Sequence, residues 1–159
     1  QTLYQHERLE TVHMRPFLEA LLSHLSGALG MDELHVNIVQ KIEEIDRPAD
    51  DAIPIALFLL EAVTNAIKYA FDETGGTINV TLTEDKAGEE IVLAIADDGF
   101  GADVDETSDA GPSGLGSRLM AAFAKQLRAK HEVSSTPGGG YTVSLRMPGT
   151  ERVMKTTDF

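Results

Sequence analysis

Two runs in the middle of the chain, GGTINVTLTED at 75–85 and EEIVLAIADDG at 89–99, are separated by a short KAG turn. In the first, Ile78, Val80 and Leu82 recur at every second residue. In the second, Ile91, Leu93 and Ile95 do the same, while Val92, Ala94 and Ala96 make the other side apolar too. A period of two is the signature of a strand, and a strand apolar on both sides belongs in the middle of a sheet. The short connection makes the two antiparallel neighbours. HEVSST at 131–136 and YTVSLRMP at 141–148, joined through PGGG, read as a second antiparallel pair.

Helical segments lie between these strands. RPFLEALLSHLSGALG at 15–30 places Phe17, Leu21, Leu22, Leu25 and Leu29 near helical spacing, with Pro16 in a first turn and Gly30 as terminator. HVNIVQKIEEI at 35–45 reads as a strand or a piece of a hairpin. Asp50 or Asp51 is expected to cap a helix that carries Pro54 in its first turn and runs to about Phe71. A further helix is expected from about Leu115 to about Ala129. Residues 98–114 have no period and read as a long loop. Alternating helices and strands with two antiparallel pairs predict an α/β fold. It is a two-layer sandwich with a mixed, largely antiparallel sheet and helices on one face. The pattern lacks the repeated crossovers of a doubly wound dinucleotide fold.

Bulk properties narrow the function classes. The 159 residues suit one domain, and 42% hydrophobic content supports a core. A net charge of −13 without a basic patch disfavours nucleic acid as a partner. A nucleotide is different, because a divalent cation and a few local donors can neutralise its phosphates. Without cysteine, disulfides, thiolate catalysis and cysteine–zinc sites are excluded. No signal peptide and no apolar run of about 18 residues is evident, so no direct membrane contact is expected. The chain begins at Gln1 rather than Met, as a piece of a larger protein would.

The helix LLEAVTNAIKYAF, 59–71, carries the most informative polar residues. With Glu61 at zero on a wheel of about 100° per residue, Asn65 falls at about 40° and Lys68 at about 340°. Leu59, Val63, Ala66 and Ala70 fall on the opposite side, at about 140° to 200°. One face is built to pack. The other presents a carboxylate, an amide and a cation within two turns. Two glycine-bearing segments accompany it. In DDGFG, 97–101, Asp97 ends an apolar strand and can accept a proton from an exocyclic amine, while Gly99 and Gly101 allow close approach. In GPSGLGSRL, 111–119, Gly114 and Gly116 precede a helix whose first amide groups can bind an anion. Each feature alone also fits a solvated helix face, a turn or a loop-to-helix junction. The three in this order are far more specific.

These segments resemble the catalytic, ATP-binding domain of bacterial sensor histidine kinases, whose Bergerat ATP-binding fold is shared with gyrase, Hsp90 and MutL. Residues 59–71 resemble its N box, 97–101 its first glycine box, 111–118 its second, and PGGGYTVSLRMP its closing hairpin. Leu3 and Tyr4, EAVTNAIKYAF and ADDGFG are similar to the subgroup with a HisKA_2 phosphoacceptor region. The resemblance implies domains at 30–148 (catalytic) and 1–29 (end of the acceptor region and a junction helix), with a tail at 149–159.

By position, the resemblance implies that Asn65 coordinates a Mg²⁺ bridging the ATP phosphates and that Glu61 assists through a metal-bound water or polarises the acceptor. It implies that Lys68 lies near the phosphates and Asp97 holds the adenine amino group. Gly99 and Gly101 would shape the adenine pocket, and Gly114, Leu115 and Gly116 the lid and the helix after it. An amide oxygen and a carboxylate suit a hard cation. Acids at 97, 98, 103, 105, 106 and 109 have no basic companion between them, so Mg²⁺ would offset their repulsion of a triphosphate. The implied partners are ATP, an upstream phosphoacceptor domain and a response-regulator receiver domain. The implied location is cytoplasmic.

Three positions depart from the family pattern: Leu60, where asparagine is common; Ser117, where an apolar residue is common; and Tyr141, where a small polar residue is common. Leu60 should alter packing only. Tyr141 either crowds the adenine side or faces the core. His6, in HERLE, is expected to be a surface histidine rather than the acceptor: no proline follows, and it lies 59 positions before Asn65, too few for a second helix and a linker. His13, His24, His35 and His131 have no metal-ligand spacing and read as hydrogen-bonded or solvated. The expected activity is a protein-histidine kinase whose acceptor histidine is missing from this chain. An anti-sigma-factor serine kinase of the same superfamily, or a scaffold with a degenerate ATPase fold, are the alternatives.

Overall fold

A computed structural model describes residues 10–85, 87–100, 115–135 and 138–149. In chain order the elements are β1 (Thr11–His13), α1 (Met14–Ala28), α2 (Met31–Leu34), β2 (Val36–Ile42), β3 (Asp46–Pro48) and α3 (Ala49–Tyr69). They are followed by β4 (Gly76–Glu84), β5 (Glu90–Asp97), α4 (Leu115–Gln126), β6 (Lys130–Ser135) and β7 (Tyr141–Pro148). A five-stranded sheet runs β2-β4-β5-β7-β6. β2 and β4 are parallel, and the other neighbours are antiparallel. β1 and β3 form a separate antiparallel pair.

β5 occupies the middle of the sheet, as its two-sided apolar pattern predicts. Ile91, Leu93 and Ile95 are buried, and so are Ile78, Val80 and Leu82 of β4 and Val143, Leu145 and Met147 of β7. Facing them are Leu18 and Leu22 of α1, Phe58, Leu59 and Val63 of α3, and Met120 and Ala124 of α4, all in one continuous core. Val92, Ala94 and Ala96 on the other side are half-buried. They pair with Thr83, Thr81 and Asn79 and with Arg146, Ser144 and Thr142. That face is therefore shielded by neighbouring strands rather than by a second helical layer among the described residues.

α3 packs as its wheel predicts: Leu59, Val63, Ala66 and Ala70 are all buried. It is long and apolar enough to cross a membrane by length and composition, but here its apolar stripe is the floor of the core. Its start differs from expectation. The helix begins at Ala49, straight after β3, so Asp50 and Asp51 lie inside the first turn and Pro54 in the helix interior. The cause is Arg47. Its buried guanidinium binds the Asp51 carboxylate at 2.7 Å and the Pro148 carbonyl at 3.0 Å, which fixes Asp51 as an ion-pair partner instead of a cap. Both aspartates still favour the positive end of the helix dipole. α1 ends as expected, with Gly30 left-handed at φ 62°. α4 stops at Gln126 rather than Ala129, because Arg128 turns left-handed at φ 57°.

Candidate nucleotide site

The site is organised where β5 ends. Strand alternation puts Asp97 on the same side as Leu93 and Ile95, toward the helices, and leaves it only 9% exposed. Its Oδ1 accepts the Gly99 N–H at 2.9 Å. Burial pushes this carboxyl above its ordinary pKa, and the neighbouring Asp98 adds to that. The Gly99 and Tyr141 backbone N–H groups pull the other way. Asp98 points to a different task. Its Oδ1 accepts the Thr77 N–H at 2.8 Å, which closes the β4–β5 ladder.

The chain leaving β5 is bound to the end of α3. Phe100 donates its N–H to the Ala70 carbonyl at 3.0 Å. Gly99 lies so close that a Cβ there would run into the Ala70 carbonyl and side chain. A third wall comes from the β6–β7 turn. The Gly138 N–H donates to the Phe100 carbonyl. Gly140, left-handed at φ 85°, packs against the Asp97 carbonyl where a side chain would collide.

Asn65 lies five residues upstream of Ala70, or about 7.5 Å along the helix axis. It is half-buried on the flank of α3 that meets α4, where its Nδ2 faces Met120 Sδ at 3.9 Å. Its amide oxygen has no donor among the described residues. Glu61 is half-buried one turn before it, and Lys68 is exposed in the last turn. Leu115 and Gly116 fall in the first turn of α4. Gly101 and Gly114, most of the expected loop, residues 6–9 of the HERLE segment and Leu3–Tyr4 lie outside the described residues. So the fold brings Asp97, Gly99 and the end of α3 together. It sets Asn65 on the same helix between them and α4.

Among the described residues no three His, Asp or Glu side chains gather as a self-sufficient metal site. One unpaired amide oxygen beside a carboxylate fits Mg²⁺, which keeps waters and takes much of its coordination from substrate phosphates. Two of the described histidines are employed otherwise. His13 pairs with Asp46 at 2.6 Å, and His131 packs edge-on against Phe58 with its pKa lowered by burial. Leu60 packs at the margin of the core. Tyr141 also packs against the core, but its register is directly opposite Asp97. Sequence reasoning left that residue open. It also missed Met120, which carries no motif, and the bond of Asp98 to Thr77, both set only by packing and pairing.

Residues 50–151 match the family described as Histidine kinase-, DNA gyrase B-, and HSP90-like ATPase. The chain belongs to this ATPase family. The ATPase domain is 29% identical over 137 residues to Blue-light-activated histidine kinase 2 of Erythrobacter litoralis (strain HTCC2594). That alignment spans 82% of this chain but 38% of the kinase. It is 33% identical over 134 residues to the Anti-sigma F factor of Priestia megaterium, spanning 76% of this chain and 86% of that protein. Among solved structures, the histidine kinase domain of the Erythrobacter litoralis EL346 blue-light activated kinase matches with a TM-score of 0.76 and 25% identity. The match covers 90% of this chain and 68% of that one. The mycobacterial sensor histidine kinase MprB shares the fold, at a TM-score of 0.70 and 17% identity, over 88% of this chain and 97% of that one. The two-layer mixed sheet expected from the sequence is thus the Bergerat fold of histidine-kinase-like ATPases.

Proposed function

We propose that the ATPase domain is the catalytic, ATP-binding portion of a sensor histidine kinase. The observation that carries the reading is the placement of the buried Asp97 carboxylate against the end of the helix that bears Asn65. A carboxylate there accepts the exocyclic amino group of adenine. Asn65, further along α3, would contribute its amide oxygen to a Mg²⁺, with Glu61 one turn before it. A Mg²⁺ held there would neutralise phosphate charge that the acidic residues of segment 97–109 would otherwise repel. Lys68 supplies positive charge near the same end of the helix. Gly101, Gly114, Leu115 and Gly116 would complete the adenine pocket and the lid.

Phosphoryl transfer asks mainly for positioning and charge stabilisation. An acceptor histidine nitrogen, supplied by an upstream segment, attacks the γ-phosphorus. The bond from phosphorus to the bridging oxygen breaks, and ADP leaves. Glu61 polarises the acceptor ring. A receiver-domain aspartate then takes the phosphoryl group. The reading puts the domain in the cytoplasm, where ATP is supplied. It is supported by the kinase resemblance across 90% of the chain.

A second reading is favoured by the 33% identity to an anti-sigma F factor over most of that protein. There the same pocket would serve a serine acceptor on a protein partner. Calorimetry with Mg-ATP, with Asp97→Asn and Asn65→Ala beside the parent, tests the shared step. Absence of binding by the folded parent removes both readings. The acceptor is then distinguished by the product. Phosphohistidine is lost in acid, whereas phosphoserine survives acid and is lost in alkali.

A further inference from the structure

Tyr141, in the closing hairpin, has a place that the nucleotide reading does not absorb. It opens β7, and its Cα partner across β5 is Asp97. On the other side it pairs with Ser135 of β6, while Asp97 pairs with Ile78 of β4. These residues form one row across the sheet. Alternation along β7 puts Tyr141 on the side of Val143, Leu145 and Met147, which is the side Asp97 faces. Opposed antiparallel side chains have Cβ atoms about 4.5–5.5 Å apart.

The corner is built tightly around this pair. Gly140, next to Tyr141, packs on the Asp97 carbonyl. The Gly138–Phe100 bond closes the turn onto the loop, and the Phe100–Ala70 bond closes the loop onto α3. Tyr141 is half-buried, and its hydroxyl has no hydrogen-bond partner among the described residues. Burial and the Asp97 charge both hold the phenol in its protonated form. It is therefore an O–H donor beside a carboxylate that only accepts, and a half-buried phenol usually finds a partner.

We propose that Tyr141 is a specificity-determining residue of the nucleotide site, donating its phenolic O–H to a purine ring nitrogen flanking the amino group that Asp97 accepts. The pair then presents one acceptor and one donor to the base. Adenine answers with an amino donor and a neighbouring ring acceptor, at N1 on one flank or N7 on the other. Guanine carries a carbonyl where adenine carries the amino group, so it meets the Asp97 carboxylate with a second acceptor.

This inference rests on the ATP-site reading, and a substitution cycle separates the two. The full chain and Tyr141→Phe are titrated calorimetrically with Mg-ATP, 1-deaza-ATP and 7-deaza-ATP. Phenylalanine keeps the ring and removes only the donor. The parent is expected to bind ATP about 2–10-fold tighter than the variant, the worth of one neutral hydrogen bond. It should show a similar preference over one of the two deaza analogues, and that preference should vanish in Tyr141→Phe. Equal or tighter ATP binding by the variant overturns the inference. So does a loss that is the same for ATP and both analogues, because a merely structural tyrosine would behave that way. A folded parent that binds no ATP sinks the site reading and this inference together. A parent that binds ATP without the coupling sinks the inference alone.

Discussion

The Ala70 carbonyl at the end of α3 accepts the Phe100 N–H at 3.0 Å, and Gly99 lies flat against the same carbonyl. Through that contact the strand carrying Asp97 and the helix carrying Asn65 hold a fixed separation. Gly99→Ala would drive a Cβ into the carbonyl and side chain of Ala70. Overpacking of this sort costs about 1–3 kcal/mol. Urea denaturation should show that loss, and ATP titration should show weaker binding than the stability loss alone explains. A variant as stable and as tight as the parent would mean the contact positions nothing.

Asp97→Asn should separate binding from stability. Loss of a hydrogen bond to a charged group is worth about 1.5–3 kcal/mol, so ATP affinity should fall about 10–100-fold. Stability should move the other way. Burial raises the folded-state pKa of Asp97 above 3.8. The stabilisation linked to such a group is complete below the unfolded pKa and is lost as pH rises through the folded one. At pH 7 the variant should therefore melt at the same temperature as the parent or higher. That gap should close as the pH falls toward 3.8. Thermal melts across this range read it directly, and a variant markedly less stable at pH 7 contradicts the assignment.

Asn65→Ala should leave the fold intact, since the side chain is half-buried and its described partner is a distant sulfur at 3.9 Å. Its effect should appear in the metal dependence. ATP binding by the parent should tighten with added Mg²⁺, and binding by the variant should respond little. Titrations with Mg²⁺ and with EDTA make the comparison.

Arg47 fastens the entry of α3 to the end of β7. Its side chain is 5% exposed, and it bonds Asp51 and the Pro148 carbonyl. Its Nε has no hydrogen-bond partner among the described residues. Arg47→Ala leaves a half-buried carboxylate and a carbonyl unpaired, at about 1–3 kcal/mol. Arg47→Met should recover part of the loss, because it refills the volume without stranding another charge. A chemical denaturation series orders the three proteins.

The placement of β5 was legible because its alternation extends to both faces, and that of Asp97 because it keeps step with Leu93 and Ile95. The helix that carries Glu61, Asn65 and Lys68 was legible from the wheel. The parallel pairing of β2 with β4, the β1–β3 pair and the role of Arg47 were not. Each joins residues far apart in the chain, and neither alternation nor composition records which distant partner a segment meets. Arg47 in particular reads as an ordinary surface arginine until Pro148 folds over it.

By itself the sequence determined the periodic elements, the acidic character and the order of the polar motifs, because these follow from local geometry and side-chain chemistry. Tertiary structure decided the rest. Asp97 is a buried carboxylate because Ile78 and Tyr141 flank it across the sheet. Gly99 must remain small because Ala70 is there. Tyr141 faces the candidate purine-binding carboxylate because strand register places it opposite Asp97. Register is fixed by the whole sheet closing over one core, and a single strand does not encode it.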